Sequence, residues 1–196
     1  MKFEGSKICI YFNVNYFWQK IKNYMIELLR TRRSIRKFTE QKLESEKIEI
    51  LKEAVLRSPS SKGINPWVFV FVDEKETIGK LKNCKPHGAG PLETARLAVV
   101  ICADETVNDA WVEDCSIASI LLQLTAQSLG LGSCWIQVRN RMYSETISSE
   151  KYLQDLLDIP TQFRVLSIIS IGYPVKWREG KKLEDLQFEK IRINKF

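Results

Sequence analysis

The sequence has little material for a structural metal site or a disulfide framework. It contains one histidine, His87, and its cysteines are widely spaced, odd in number and never arranged as CxxC; they are Cys9, Cys84, Cys102, Cys115 and Cys134. Zinc sites and disulfide scaffolds both need close or paired ligands. The pattern therefore predicts no metal and reduced thiols, as in a cytoplasmic protein.

The sequence also lacks a convincing signal peptide or membrane span. Near the N-terminus, Asn13 and Asn15 break the apolar run, and no small-residue cleavage site follows. Residues 116–138 carry no charge and are long enough to cross a bilayer, but they contain two glutamines and are split by Gly-Leu-Gly at 130–132. These interruptions favour a buried helix followed by a buried strand.

Positive charge is in excess, with 30 Lys and Arg against 24 Asp and Glu. A net charge of +6 is compatible with a nucleic acid, a membrane surface or a phosphorylated small molecule as partner. The charge is densest in "RTRRSIRKF" (30–38), where five cations surround Ser34. Guanidinium groups match phosphate oxygens, but a solvated basic face has the same composition. The stretch alone leaves these alternatives open.

Helical and strand patterns alternate along the chain, which is typical of a single α/β or α+β domain. Apolar spacing predicts helices ending near Arg30, from Ser45 to Pro59, over the polar segment 75–83, from Trp111 to Gly130 and over 148–159. Apolar runs predict strands at 67–73, 96–104, 133–138 and 163–174. The helix at 111–129 is apolar all round, so we expect it at a subunit interface.

Two loops carry groups suited to ligand binding. In "SPSSKGINPW" (58–67), two prolines stiffen a loop of hydroxyls and amides beside a strand. In "GLGSCWIQV" (130–138), the glycines let the backbone turn tightly and approach a ligand. Neither is a dinucleotide fingerprint or a GxxxxGK phosphate loop. Taken separately, each is also compatible with a plain turn or a capped helix end.

In this order and spacing, the three motifs resemble those of the FMN-dependent nitroreductase family. "RRSIRKF" is similar to the family's phosphate motif, "PSSKGINPW" to its Pro-Ser-Ser-x-Asn-x-Gln-Pro-Trp loop, and "GLGSCWIQV" to the segment passing the flavin ring; "IGYP" (171–174) and "KIR" (190–192) add to the likeness. The resemblance implies an FMN-binding domain over 25–196 after an N-terminal extension, 1–24, of unknown role. It further implies an α+β fold, with a central, mostly antiparallel sheet flanked by helices, in an intertwined homodimer.

The resemblance also implies which residues bind FMN. The phosphate would be held by Arg32, Arg33, Ser34 and Arg36, joined by Lys190 and Arg192 from the tail. Other flavin contacts would come from Pro59, Ser60, Ser61, Lys62, Asn65, Trp135, Ile136, Gln137 and Val138, with His87 and Gly88 lining the flavin pocket. Gly63 and Asn65 depart from the family pattern, which usually has asparagine and glutamine there.

The implied activity is that of an NAD(P)H-dependent flavin oxidoreductase. In a ping-pong cycle, NAD(P)H reduces FMN and departs, and a nitroaromatic, quinone or similar electrophile then takes the electrons. The chemistry lies on FMN, so no catalytic side chain is expected. A backbone N–H of Gln137 or Val138 would face the ring nitrogen that receives hydride, and Lys62 would place positive charge near the pyrimidine edge.

Two other functions are compatible with the same residues. One is an FMN store or sensor without turnover, and the other is a basic nucleic-acid-binding module. Under the preferred interpretation, the partners are a second copy of the chain and a small-molecule electron acceptor, with neither nucleic acid nor membrane.

Overall fold

The computed structural model describes residues 24–196, and within them the chain forms five α-helices and four β-strands. The helices are α1 (Tyr24–Thr31), α2 (Ser45–Leu56), α3 (Lys75–Leu81), α4 (Trp111–Ser128) and α5 (Ser149–Leu157). The strands are β1 (Trp67–Val72), β2 (Leu97–Asp104), β3 (Gly132–Gln137) and β4 (Phe163–Gly172). The elements predicted from apolar spacing are thus present. The extension at 1–23, with the first turns of the predicted first helix, lies outside the described residues.

The four strands form one antiparallel sheet in the order β1-β2-β4-β3. The two central strands, β2 and β4, are buried almost throughout, which explains why their sequences are continuous apolar runs. Strands β1 and β3 are the edges. The α+β class with an antiparallel sheet is therefore confirmed.

Each face of the sheet packs against its own hydrophobic cluster. On one face, α2 and α4 cover the sheet, with Leu51, Trp111 and Leu122 among the buried residues. On the other face, α3 and α5 cover it, with Leu81 and Leu153 buried. The two layers leave the edges of β1 and β3 uncovered by helices.

Helix α4 is mainly a core helix. Most of its side chains are buried against the sheet and α2, which is why the sequence shows so little polarity on any side. Ile117 and Ile120, one turn apart, remain exposed. Gly130 follows the helix with φ +74°, the left-handed conformation that favours glycine at a helix end. Among residues 24–196, no helix combines the length and apolar character needed to span a bilayer.

The C-terminal segment runs back along the end of α1. The Arg33 guanidinium donates to the Glu179 carbonyl at 2.7 Å, and Gly180 lies against the Arg30 carbonyl with no room for a Cβ. Residues 181–196 are exposed and contain only two short 3-10 turns. The charged, aperiodic tail expected from the sequence is confirmed.

Candidate functional site

The basic segment, defined as residues 32–38, lies extended beside the outer edge of β3. The Ile35 N–H donates to the Ser133 carbonyl at 2.9 Å, and the Val175 N–H donates to the Lys37 carbonyl at 3.1 Å. Ile35 and Phe38 are buried and anchor the segment in the core, while Arg36 and Lys37 are exposed. This mixture explains why two large apolar residues stand among the cations.

Two glycines allow the basic segment to come this close to the sheet. A Cβ on Gly132 would lie 2.8 Å from the Ile35 Cβ, and a Cβ on Gly172 would lie 2.8 Å from the Phe38 Cβ. Real Cβ atoms essentially never approach to this distance. The segment is therefore seated in two notches that glycine leaves at the ends of β3 and β4.

Alternation along the extended segment divides its cations into two groups. Burial raises the pKa of the Cys134 thiol, and the charges of Arg36 and Arg32 and the Ser34 hydroxyl oppose that rise. These three residues therefore surround the Cys134 side chain on β3. Arg33 points the other way and binds the tail. Side chains at i, i+2 and i+4 share one side of an extended chain, which accounts for the division.

Lys85, which the sequence motifs did not single out, joins the same edge. Its Nζ donates to the Gln137 carbonyl at 2.7 Å. Burial lowers the pKa of Lys85, and the nearby Arg141 lowers it further. The residue lies in a loop without a recognisable motif, so only the tertiary structure reveals that it faces β3.

The outer edge of β3 offers backbone donors. The Ser133 carbonyl faces outward to Ile35, so the N–H groups of Trp135 and Gln137, two and four residues on, also face away from β4. The Val138 N–H instead donates to the Leu166 carbonyl at 3.1 Å. Of the two N–H groups expected near the flavin ring, that of Gln137 remains available.

The side chains of this strand divide between the two faces of the sheet. Trp135 Nε1 donates to Gln137 Oε1 at 3.0 Å, and Gln137 Nε2 donates to the Arg139 carbonyl at 3.0 Å. Ile136 and Val138 point into the opposite core and are fully buried. From these last two residues, only the backbone can reach a ligand.

A cavity of about 460 Å³ lies in the loop that carries Lys85. Its lining residues are Lys82, Asn83, Lys85, Pro86, His87, Gly88, Ala89, Gly90 and Tyr143. The two predicted pocket residues, His87 and Gly88, therefore lie together there. Because Lys85 also contacts Gln137, the cavity adjoins the outer edge of β3.

The serine-rich loop, defined as residues 58–66, is held by a buried carboxylate. The Ser61 N–H donates to Asp114 Oδ1 at 2.8 Å, and Asn108 Nδ2 donates to Asp114 Oδ2 at 2.7 Å. Within the loop, Ser60 Oγ and the Asn65 side chain are 2.7 Å apart. Sequence reasoning missed Asp114 because a charge at the start of a buried helix shows no motif.

This loop has an unusual backbone and exposes its cation. Lys62, Gly63 and Asn65 all have positive φ, at 56°, 66° and 55°. Lys62 is exposed and Pro59 lies on the surface beside it. Nearby, Ser58 Oγ and Trp67 Nε1 are buried without a hydrogen-bond partner among the described residues. Such unpartnered donors are costly, and a ligand or a second chain would satisfy them.

Within one protomer, the serine-rich loop and the basic segment lie at opposite corners of the sheet. The loop precedes Trp67, which pairs with Ala103, whereas the basic segment lies beside Ser133 at the Leu97 end of the sheet. Four strand spacings across and six residues along place them about 25 Å apart. A ligand pocket of about 1,000 Å³ is only about 10 Å across. One protomer therefore does not bring both segments to a single pocket.

The tail residues predicted to contact phosphate also stand apart. Arg192 hydrogen bonds to the Glu189 carbonyl, and its guanidinium lies 5.7 Å from the Phe196 ring centre. Lys190 is exposed at the end of a short turn. Within the described part of the chain, neither side chain hydrogen bonds to the basic segment.

The donor set at β3 fits a phosphate group. Arg32, Ser34, Arg36 and Lys85 all act on the Cys134 position, and no carboxylate acts on it. Charge-assisted bonds from such donors are strong for a dianionic phosphate. Over residues 24–196, no group of three or more His, Cys, Asp or Glu side chains could hold a metal ion.

Comparison with known proteins identifies the family. The chain matches the Nitroreductase family over residues 29–87 and 88–173. It belongs to the nitroreductase family.

Solved structures and curated relatives of this family member agree with that assignment. An FMN-dependent nitroreductase of Clostridium difficile is 45% identical, with a TM-score of 0.86, over 87% of this chain and 99% of that one. An Archaeoglobus fulgidus protein, provisionally named NADH dehydrogenase/NAD(P)H nitroreductase, is 33% identical over 87% of this chain and 96% of its own. The NADPH:FMN oxidoreductase of Vibrio harveyi, solved with NAD+, is 25% identical over 89% and 78%, with a TM-score of 0.73.

Proposed function

We propose that this nitroreductase-family member is an NAD(P)H-dependent flavin oxidoreductase that uses FMN to reduce a nitroaromatic, a quinone or a similar electrophile. The proposal rests on the cluster of Arg32, Ser34 and Arg36 beside the outward-facing backbone donors of β3. The C. difficile relative, described as FMN-dependent, supports the choice of cofactor. The V. harveyi relative supports a nicotinamide donor.

The basic segment serves as the anchor for the phosphate. Arg32 and Arg36 supply forked donors, Ser34 supplies a hydroxyl, and the packing of Ile35 and Phe38 fixes the backbone between them. Arg33 contributes indirectly, because its bond to Glu179 holds the tail against the segment. The anchor is thus built into the sheet and does not depend on a flexible surface patch.

The edge of β3 positions the reacting ring. When bound, FMN would accept hydride from NAD(P)H and pass the electrons on to the acceptor. The Gln137 N–H faces outward where a ring nitrogen would lie, and the Lys85 ammonium is held next to it by the Gln137 carbonyl. Within one protomer, Lys85 therefore takes the electrostatic role that the sequence suggested for Lys62.

A second copy of the chain would complete the site. The serine-rich loop of one protomer is about 25 Å from its own basic segment, so it reaches FMN only across a dimer interface. Exposed apolar side chains support an intertwined homodimer; on α1 they are Tyr24, Met25, Ile26 and Leu29, and in the tail Leu183, Phe188, Ile191, Ile193 and Phe196. Patches of this kind mark interaction surfaces. In such a dimer, Lys190 and Arg192 would also approach a partner's phosphate site.

The decisive experiment is an absorption spectrum of the purified protein, recorded without oxygen before and after adding NADPH or NADH. We expect a yellow protein that bleaches with donor and recovers with a quinone, and light scattering at the mass of a dimer. A yellow protein that no donor bleaches would be a flavin store or sensor. A colourless protein with salt-sensitive DNA affinity would be a nucleic-acid-binding module.

A further inference from the structure

We infer that the cavity in the loop 82–90 binds the 2′-phosphate of NADPH, so that the protein prefers NADPH to NADH. The inference deepens the proposed function, which leaves the choice of donor open, and it rests on that function. The cavity is separate from the phosphate anchor of the basic segment, although Lys85 connects it to the edge of β3.

The first support is the charge of the cavity. Its ionisable lining residues are Lys82, Lys85, His87 and Tyr143, and no carboxylate lines it. NADPH differs from NADH by one phosphate group on the adenosine ribose, and cationic side chains beside that ribose are a general way to accept it. A volume of about 460 Å³ is also within the range of small-molecule sites.

The second support is that the cations have donors to spare. The Lys85 ammonium has three N–H groups, and one is bound to the Gln137 carbonyl. Lys82 Nζ lies 3.2 Å from Glu93, but the two side chains are 39% and 64% exposed. Exposed ion pairs of this kind are weak and exchange readily. Lys82 can therefore turn to a phosphate without a large cost.

The third support is position. The proposed site of hydride transfer is at Gln137, and Lys85 contacts both this residue and the cavity. A dinucleotide whose nicotinamide lies at the edge of β3 has its adenosine end some distance away, so it needs an adjoining anion site. The loop 82–90 provides one on the same side.

The test compares kcat/KM for NADPH and NADH in the wild type and three variants. We expect the wild type to prefer NADPH at least tenfold, Lys82→Ala to lower the preference about tenfold, and Glu93→Gln to increase it by releasing Lys82. Lys80→Ala is the matched control, because Lys80 is an exposed lysine of α3 paired with Glu76 and does not line the cavity. Equal use of both donors by the wild type would overturn the inference.

A binding measurement separates this inference from the proposed function. In calorimetric titrations, 2′,5′-ADP should bind more tightly than 5′-AMP, and Lys82→Ala should remove most of the difference. The same affinity for both nucleotides would refute the phosphate site. If Lys82→Ala changed the KM of a carboxylated nitroaromatic but not that of NADPH, the cavity would serve the acceptor and the inference would be wrong. Failure of the proposed function would instead appear as no turnover with either donor.

Discussion

Replacing Gly132 with alanine should weaken FMN binding, although the added methyl group would not touch the ligand. The new Cβ would lie 2.8 to 2.9 Å from three atoms of Ile35. Ordinary carbon–carbon contacts are about 3.5–4.0 Å, so the side chain or its backbone must move by at least about 0.7 Å. Ile35 is buried and stands between Ser34 and Arg36, so it has little space to move without them.

The size of the effect follows from this displacement. Overpacking of a buried site costs about 1–3 kcal/mol, which should appear in the free energy of unfolding. Charge-assisted hydrogen bonds need about 2.7–2.9 Å between heavy atoms, so a shift of this size weakens the phosphate contacts of the segment. A loss of about 1.4 kcal/mol is tenfold in affinity, and we expect the Kd of FMN to rise about tenfold.

The assay is urea unfolding combined with a titration of the apoprotein followed by flavin fluorescence. Gly79→Ala is the control, because a Cβ there meets nothing within 4 Å and Gly79 lies inside α3. It should stabilise the protein by about 0.5–1 kcal/mol and leave FMN affinity unchanged. If Gly132→Ala destabilised the fold but bound FMN as the wild type does, the basic segment would not be the phosphate anchor.

Three further predictions concern individual side chains. Arg36→Ala should raise the Kd of FMN about ten- to a hundredfold, since a bond to a charged group contributes about 1.5–3 kcal/mol; Arg33→Ala should not, and activity at excess FMN should recover. Because burial lowers the pKa of Lys85, its positive charge is lost at a lower pH than that of an ordinary lysine, so FMN affinity should fall as the pH rises through that pKa and lose this dependence in Lys85→Met; titrations between pH 7 and 10 test this. Asp114→Ala should lower the free energy of unfolding by about 1–3 kcal/mol, measured in urea, by leaving the Ser61 N–H unpaired, and unchanged stability would contradict its role.

Much of the fold was predictable because local patterns and packing agree. The buried strands β2 and β4 are continuous apolar runs, and Gly130 ends α4 in the left-handed conformation that its position after the helix predicts. The role of α4 was harder to predict. An apolar helix can be buried by its own domain or by a partner, and only the packing against the sheet shows that its own domain buries most of it.

The candidate site was predictable where one segment carries the chemistry and not where distant segments meet. The basic segment was evident from its charge, but its division into Arg32 and Arg36 on one side and Arg33 on the other depends on its extended backbone beside β3. Lys85 and Asp114 act through contacts with residues more than fifty positions away. No spacing rule along the sequence registers such contacts.

The opposite-corner placement of the two flavin segments has a genetic consequence. If each site takes its basic segment from one protomer and its serine-rich loop from the other, two inactive alleles can rescue each other when they are co-expressed. A heterodimer of a basic-segment mutant and a loop mutant concentrates both lesions in one site and leaves the second site entirely wild type. Half of the normal activity per heterodimer would then return from two subunits that are each inactive alone.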